Sequence, residues 1–525
     1  MLLIMTRMGT RRNPEYKELN FDTAIRNPER LKPVLEVLNE YEGYILNDNV
    51  ILDILYDIYS QEVVKSDSLD LNNLKTKEAI KAKIIEINKK RNRDGHFPKG
   101  YQSRFWTYMR TLSEFGFIYS QYNEKLIIGD VAKKLLKNII DPQEAFAIQT
   151  MKYNWKSPYR NVRNDFNYFK FIIKVLRKLS TKNKMLSYNQ FILSLFSRED
   201  DADKFIEIIE HNAFPTPNSV YTYLKENYGR QNQENTVLND YPDTVLRMLR
   251  ITGFVNIVND GILLIELNKD SEKFVDYFMD KTYIVTEKEK LNPKDYFDKI
   301  SFVTEEEMKV VDANRSSNID VCDYNFVLKK VILDYKLNQD KILELINNIG
   351  VKGKNKEFKY IDDPLQFEFF ISILLYLVYG DSFSIKPNYK TDSYGIPISH
   401  APGNCGDIEV IGDGKYWLIE VTLIRNKAQQ LNYETSNLFR HISETPCNEK
   451  YMSLIAPVIH EDTHRFFNAL IIDYIQDHAD NSFSAKCYKR DEFNKVCIEK
   501  NIFEDMKQYT KDYEKNIFDI LKKFM

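Results

Sequence analysis

A chain of 525 residues has room for about three domains, each able to bury a core. With 43% hydrophobic and 13% aromatic residues it is not a disordered chain, and 17 glycines and 16 prolines are too few for a collagen-like or linker-rich one. The net charge of −3, from 74 basic and 77 acidic residues, gives no sign of a polyanionic partner.

The opening Met1–Met5 is too short for a signal-peptide core and runs into the basic Arg7, Arg11 and Arg12. No apolar run approaches the roughly 18 residues of a spanning helix, so no membrane is expected and the place of action reads as the cytoplasm of a bacterial or archaeal cell. The cysteines (Cys322, Cys405, Cys447, Cys487 and Cys497) are odd in number and contain no CxxC, which suits reduced thiols.

Residues 20–60 read as helices, with Pro28 at a helix start and Leu31, Val34, Leu35 and Leu38 at helical spacing. Residues 74–91 read as a basic amphipathic helix. Tyr101 to Phe115 reads as a helix ended by Gly116, followed by short strands at Phe117–Tyr119 and Lys125–Ile128 and a helix from Val131. Helix, glycine, hairpin is the layout of a winged helix, which presents one helix to a DNA groove. The layout recurs at 243–267, where Asn259-Asp-Gly261 is a hairpin-turn signal.

Charge is segregated along this region. Asn72–Lys137 holds 15 basic and 6 acidic residues, and Thr150–Ser187 holds 10 basic residues and the single acid Asp165. Each stretch carries +9 and the remainder of the chain −21. Basic runs interleaved with aromatics fit a polyanion-binding module, here double-stranded DNA. Arg26, Arg30, Lys99, Arg104, Arg110, Lys152, Lys156, Arg160 and Arg163 are the candidate DNA contacts. The acidic stretch 199–210 reads as a solvated helix face, and 286–350 as a charged helical linker.

From about residue 358 the pattern becomes α/β. Asp362-Asp363-Pro364 suits a helix start, and the helix it opens is apolar on nearly every side, so Glu368 within it is a buried carboxylate that needs a partner. Gly406–Ile411 and Tyr416–Thr422 read as strands joined by a turn at Gly412-Asp-Gly414. Asp407 and Glu420 fall on this hairpin, where two carboxylates can converge on one divalent ion; hard oxygen donors select Mg²⁺, with Mn²⁺ as substitute. Glu434 lies on the following helix, and Glu368 is a further metal candidate.

Helix-Glu, strand-Asp, strand-Glu, helix resembles the PD-(D/E)xK nuclease fold, in which metal-activated water attacks a phosphodiester. Gly406 stands where that motif has proline, and Thr422 where it has lysine. Lys427 or Glu434 is left to take the lysine's part. His460-Glu-Asp-Thr-His464 matches the H-E-x-x-H zinc motif. It follows an apolar strand instead of lying within a helix, with Asp462 or Thr463 suited to an N-cap, so a zinc protease is not expected.

Several stretches together are similar to the AlwI-like type IIS restriction endonucleases, a family that includes nicking enzymes: Phe21–Arg30, Gly116–Ile118, Pro402–Glu409, Leu418–Thr422 and Asn432–Thr435. The resemblance implies catalytic roles for Asp407, Glu420, Glu434 and Glu368, with Thr422 in the motif. It implies a region that reads a short asymmetric site, a nuclease that cuts a few base pairs away, and a companion methyltransferase. Cutting both strands with one site per chain needs a transient homodimer or a second nuclease subunit. The expected architecture is a multidomain α+β chain. It has winged-helix-like recognition parts at 1–198 and 199–285, a helical linker at 286–350 and an α/β PD-(D/E)xK nuclease at 351–525. The alternatives are a strand-specific nicking endonuclease of the same family and a winged-helix DNA-binding protein with an inactive C-terminal fold.

Overall fold

A computed structural model of the chain describes residues 14–64, 66, 69, 74, 76–89, 100–229, 233–281, 283, 285–319, 323–351, 353–401, 405–425, 430, 442, 447, 449–477 and 482–522. The chain is a mixed helical and sheet protein of two compact units, Met1–Asn318 and Ile319–Met525.

The first unit is mainly helical. Helix Leu31–Asn39 buries Leu31, Val34, Leu35 and Leu38, the positions its periodicity singles out. Helix Tyr101–Glu114 stops at Gly116, which takes φ +70°. A side chain there would also meet Ile300, whose Cγ1 lies 2.6 Å from where its Cβ would stand. Strands β1 (Ile118–Tyr119) and β2 (Ile127–Ile128) pair antiparallel, and helix Asp130–Leu136 follows.

The second occurrence of this layout is helix Tyr241–Ile251, then β4 (Val255–Asp260) and β5 (Ile262–Leu267) around Gly261. It has a third strand that its own sequence does not announce. β3 (Leu186–Ser187), some 70 residues upstream, pairs with β5 to give the order β3-β5-β4.

An aromatic cluster joins distant segments of the unit. Phe21 lies 5.3 Å from Phe115, and Phe115 lies 5.1 Å from Tyr153. Helix Pro293–Ile300 is built into the same body: Gln149 Nε2 donates to the carbonyls of Phe115 (2.6 Å) and Ile300 (2.9 Å), and Tyr296 donates to the Glu114 carbonyl at 3.2 Å. Helix Glu305–Ile319 ends the unit, with Arg315 Nε on Glu144 at 2.6 Å. The stretch 286–350 is helical as its sequence suggests, and the division between the units falls inside it.

The second unit is an α/β layer structure. Its sheet has the order β12-β11-β10-β9-β6. These are β6 (Ser384–Pro387), β9 (Ile408–Gly412), β10 (Lys415–Val421), β11 (Glu449–Ala456) and β12 (Ser482–Lys489); a small hairpin, β7 (Lys390–Thr391) and β8 (Pro397–Ser399), stands apart. β6, β9 and β10 run antiparallel, while β10, β11 and β12 run parallel.

Strand alternation gives the sheet two apolar faces. Trp417, Ile419, Val421, Ile408 and Val410 share a core with helix Asp363–Tyr379. Tyr416, Leu418, Met452 and Leu454 form a second core with Phe467 and Ile471 of helix Glu461–Asp477. Helix Asp363–Tyr379 is buried almost throughout, as a helix apolar all round must be. Asp362 takes its N-cap position, but no side-chain cap bond forms there.

Candidate active site

The β9–β10 hairpin turns on Asp413 and Gly414, both at positive φ, which matches the twist of the two strands. The last ladder pair is Ile408 with Ile419, so Asp407 comes opposite Glu420 just beyond it. Asp407 Oδ2 accepts the Val421 backbone N–H at 2.8 Å, which fixes the carboxylate at the end of β10. Glu420 alternates with Leu418 and shares its face of the sheet. Both carboxylates are partly exposed, while the strands behind them are buried.

Thr422 is buried, and its hydroxyl accepts the Ile424 N–H at 3.1 Å. Its backbone N–H donates to Ile455 O at 2.9 Å, so this residue ties the end of β10 to β11. Glu434 and Lys427 lie outside the described residues.

Glu368 comes from the helix on the other face of the sheet. It is 3% exposed, and its Oε1 lies 2.5 Å from His400 Nδ1. Its Oε2 is buried with no hydrogen-bond partner among the described residues. The same is true of Tyr389 Oη and Ser399 Oγ, which lie on the segments leading into β7 and ending β8. Among the described residues no group of three or more His, Cys, Asp and Glu side chains is placed to hold a metal ion. The register sets Asp407 opposite Glu420, and Glu368 is not grouped with them among the described residues.

Sequence reasoning does not pick out the neighbours of this pair. Lys386 on β6 bonds Glu409 at 2.7 Å, and Asn388 reaches both Glu409 Oε1 (2.9 Å) and Gly406 O (2.8 Å). Burial works against the Glu409 charge, but Lys386, Asn388 and Tyr416 hold it below the ordinary carboxylate range. Asn388 N–H also donates to Asp407 O at 2.9 Å. The network thus braces the backbone that carries Asp407. Its only sequence signal is the parity of Glu409 with Asp407; β6 pairs with β9 across an intervening hairpin that the local pattern does not reveal.

The H-E-x-x-H match is placed at a helix start. Helix Glu461–Asp477 begins one residue after His460, so the expected caps Asp462 and Thr463 lie inside its first turn. His460 Nε2 engages Arg425 O at 2.7 Å, and Thr463 donates to Gln430 at 2.9 Å. Burial pulls His464 below the ordinary histidine range. These contacts are those of a structural turn.

The candidate DNA contacts separate into two kinds. Lys152 and Arg160 are buried. Lys152 bonds Glu307 at 3.0 Å and Phe302 O at 2.6 Å. Burial would raise the Glu307 carboxyl, but Lys152, Tyr283 and the Thr304 N–H keep it below its usual range. Arg160 grips Glu114, itself 0% exposed, through Nη2 at 2.8 Å and Nε at 3.0 Å. Internal ion pairing, not access to a phosphate, is what these two residues do; their reading as DNA contacts is corrected.

The others reach the surface. Arg26 bonds Asp240 at 2.8 Å, Arg110 bonds Glu114 at 3.0 Å, and Lys156 bonds Glu287 at 2.8 Å. Arg163 donates to Pro14 O at 2.7 Å, and Arg104 lies over the Tyr108 ring at 5.4 Å. Arg30 is exposed at the end of a short 3₁₀ turn. Lys99 is outside the described residues.

The second basic stretch is largely compensated. Lys174 pairs with Asp200 (2.6 Å), Lys178 with Asp203 (2.7 Å), and Lys182 (2.9 Å) and Lys184 (3.0 Å) with Glu210. The acidic helix Ala202–His211 and its N-terminal approach face the basic helix Tyr168–Thr181, not solvent alone.

No helix among the described residues is long and apolar enough to cross a membrane. The four described cysteines are free thiols; Cys322 lies outside.

The family model described as AlwI restriction endonuclease matches residues 113–345 and 325–482. No curated protein matches the chain. Solved structures that show similarity include the following three. The small subunit (R.BspD6I2) of the heterodimeric restriction endonuclease R.BspD6I is 18% identical, with 34% of this chain and 98% of that one covered and a TM-score of 0.23. The BpuJ1 endonuclease binding domain, in complex with pyrene- and phenanthrene-modified DNA, is 14% identical over 51% and 88%, with a TM-score of 0.31. Restriction endonuclease FokI is 11% identical over 93% and 98%, with a TM-score of 0.25.

Proposed function

The chain belongs to the AlwI restriction endonuclease family, and from that premise we propose that it is a type IIS site-specific DNA endonuclease. In this reading the first unit binds a short asymmetric duplex site, with its two helix-glycine-hairpin stretches acting as winged-helix modules. The second unit, as a PD-(D/E)xK nuclease, hydrolyses phosphodiester bonds a few base pairs away. The observation that carries the reading is the pairing of Asp407 and Glu420 on one sheet face, at the end of two neighbouring strands.

The two carboxylates supply hard oxygen donors of the kind Mg²⁺ takes. Asp407 and Glu420 would hold the ion, with Glu434 completing the set that the family resemblance assigns; Glu368, on the helix across the sheet, is bound instead by His400 and is not grouped with them among the described residues. An ion held there would supply activation of water and offset charge on the phosphoryl oxygens. The chain's own part is to hold the acids still. The Val421 N–H fixes Asp407, the Thr422 N–H fixes the end of β10, and the apolar flanks exclude bulk water from behind the site. Thr422 stands where the motif has lysine, and its hydroxyl is engaged within the turn, so Glu434 or Lys427 is left to take the lysine's part.

The test is incubation of the full chain with plasmid DNA, with Mg²⁺ or with EDTA, beside Asp407→Ala. Discrete Mg²⁺-dependent cuts or nicks are expected from the wild type and none from the variant. Absence of Mg²⁺-dependent cleavage by the wild type overturns the nuclease reading; cleavage by the variant overturns the site.

A further inference from the structure

Two helices of the first unit each lead into a glycine and a hairpin, Tyr101–Glu114 and Tyr241–Ile251. They differ in what lies against them. The segment Phe21–Arg26 runs along Tyr241–Ile251. The Phe21 N–H donates to Thr244 Oγ1 at 3.3 Å, and Arg26 meets Asp240 at 2.8 Å and Asp243 at 3.5 Å. Arg247 of that helix is turned onto Asp243 at 3.2 Å and is only 15% exposed. The charges of this helix are answered from within the unit.

Helix Tyr101–Glu114 presents an open stripe. Ser103, Thr107, Arg110 and Glu114 follow one another at helical spacing, while Tyr101, Phe105, Met109 and Leu112 fill the opposite, buried side. Ser103 and Thr107 are half-buried and Arg110 is exposed. Glu114 closes the stripe at 0% exposure and is held from two directions. Its Oε2 accepts Arg160 Nη2 at 2.8 Å and Nε at 3.0 Å, and its Oε1 accepts Arg110 Nε at 3.0 Å.

A buried carboxylate that cannot turn therefore grips the Arg110 guanidinium by Nε. That contact orients the plane of the group. Among the described residues no hydrogen bond engages its outer nitrogens, Nη1 and Nη2. Asp22, the other acid near by, attracts Arg110 and Arg104 but commits its Oδ1 to the Ala24 N–H at 2.9 Å. Two coplanar donors are thus aimed outward before any partner arrives. The side-chain entropy that binding ordinarily costs is already lost in folding.

We propose that Arg110 reads a guanine of the recognition site, its Nη1 and Nη2 donating to O6 and N7 on the major-groove edge. Guanine is the base that offers two acceptors side by side on that edge, and a planar fork matches them. The proposal rests on the reading of the first unit as the DNA-binding part. It makes helix Tyr101–Glu114, and not Tyr241–Ile251, the element that enters the groove, and it makes Glu114 and Arg160 positioning residues for the fork.

The test exposes the full chain, with metal withheld, to a pool of random duplexes and sequences those retained. Wild type is expected to enrich one short motif. Arg110→Ala should enrich the same motif with one guanine position relaxed to all four bases. Competition binding at that position should fall from a guanine preference of about 5–150-fold to none. Arg110→Gln keeps an N–H donor for Glu114 and should lose the same guanine, which separates lost reading from lost packing. An arginine that only met a phosphate would weaken every sequence alike and lower the slope of log affinity against log salt by about one unit. That outcome overturns the proposal, and so does an unchanged motif in either variant. A wild type that enriches no motif overturns it together with the reading of the first unit. A wild type that enriches a motif yet neither cuts nor nicks with Mg²⁺ refutes the nuclease reading alone, and loss of the guanine in the variants would still support Arg110 as its reader.

Discussion

The Asp407 carboxylate accepts the backbone N–H of Val421 at 2.8 Å, across the end of the β9–β10 ladder. A side chain thereby takes the place of the next ladder bond, and the acid is held beside Glu420 whether or not an ion is present. Asp407→Asn keeps an acceptor for that N–H and removes the charge. The expected result is a variant with unchanged thermal stability and cleavage lowered by more than the roughly 10–100-fold typical of residues that only orient metal ligands. Melting curves and plasmid cleavage rates check it; a rate loss smaller than that would place the essential charge elsewhere.

His400 is the hydrogen-bond partner of a carboxylate that is otherwise sealed from water. His400→Ala would leave both Glu368 oxygens unsatisfied, at a cost of about 1–3 kcal/mol in unfolding free energy. Removing both partners with His400→Ala and Glu368→Leu should recover much of that loss, measured by urea denaturation. A single variant as stable as wild type would show that water reaches Glu368.

Arg160 and Lys156 are four residues apart in one basic run and should behave differently. Arg160→Ala removes the partner of one oxygen of the buried Glu114, leaving Arg110 on the other, and is expected to cost about 1–3 kcal/mol of stability. Lys156→Ala breaks only a surface pair, worth at most about 1 kcal/mol. If Lys156 meets a phosphate, its loss should reduce the slope of log affinity against log salt by about one unit. Denaturation and salt-titrated DNA binding measure the two effects separately.

Lys170 gives a pH signature. Desolvation by burial pulls its pKa down to about 8, chiefly because its amine is directed inward, onto Lys281 O at 2.6 Å. The unfolded chain keeps a lysine near pH 10.4, so between about pH 8 and 10.4 the unfolded state binds more protons. Stability contributed by this residue should rise with pH across that window. The difference in melting temperature between wild type and Lys170→Met, followed from pH 7 to 10.5, is expected to shift in favour of the wild type; a flat difference would refute it.

Much of the local structure was legible in the sequence. Gly116 and Gly253 mark helix ends because a left-handed residue must be tolerated there, and Asp413-Gly414 marks the hairpin for the same reason. The sequence put Asp407 and Glu420 on the two strands of one hairpin, and the register sets them opposite each other. Pairings distant in sequence were not legible. Nothing local ties β3 to β5, β6 to β9, or Glu368 to His400. The basic run at 150–187 was read as one footprint because a linear count cannot see Glu114, Glu307, Asp200, Asp203 and Glu210 arriving from other elements to neutralise it.

Gln149 joins the carbonyls of Phe115 and Ile300, and Gly116 leaves the space that Ile300 fills. Anyone wishing to separate the first unit from the rest of the chain would meet this seam first. A cut at residue 285 would leave Gln149 with one carbonyl in place of two and open a hole beneath the first hairpin. A cut after residue 318 keeps both. The portable part of this protein is defined by that glutamine more than by any change in composition along the chain.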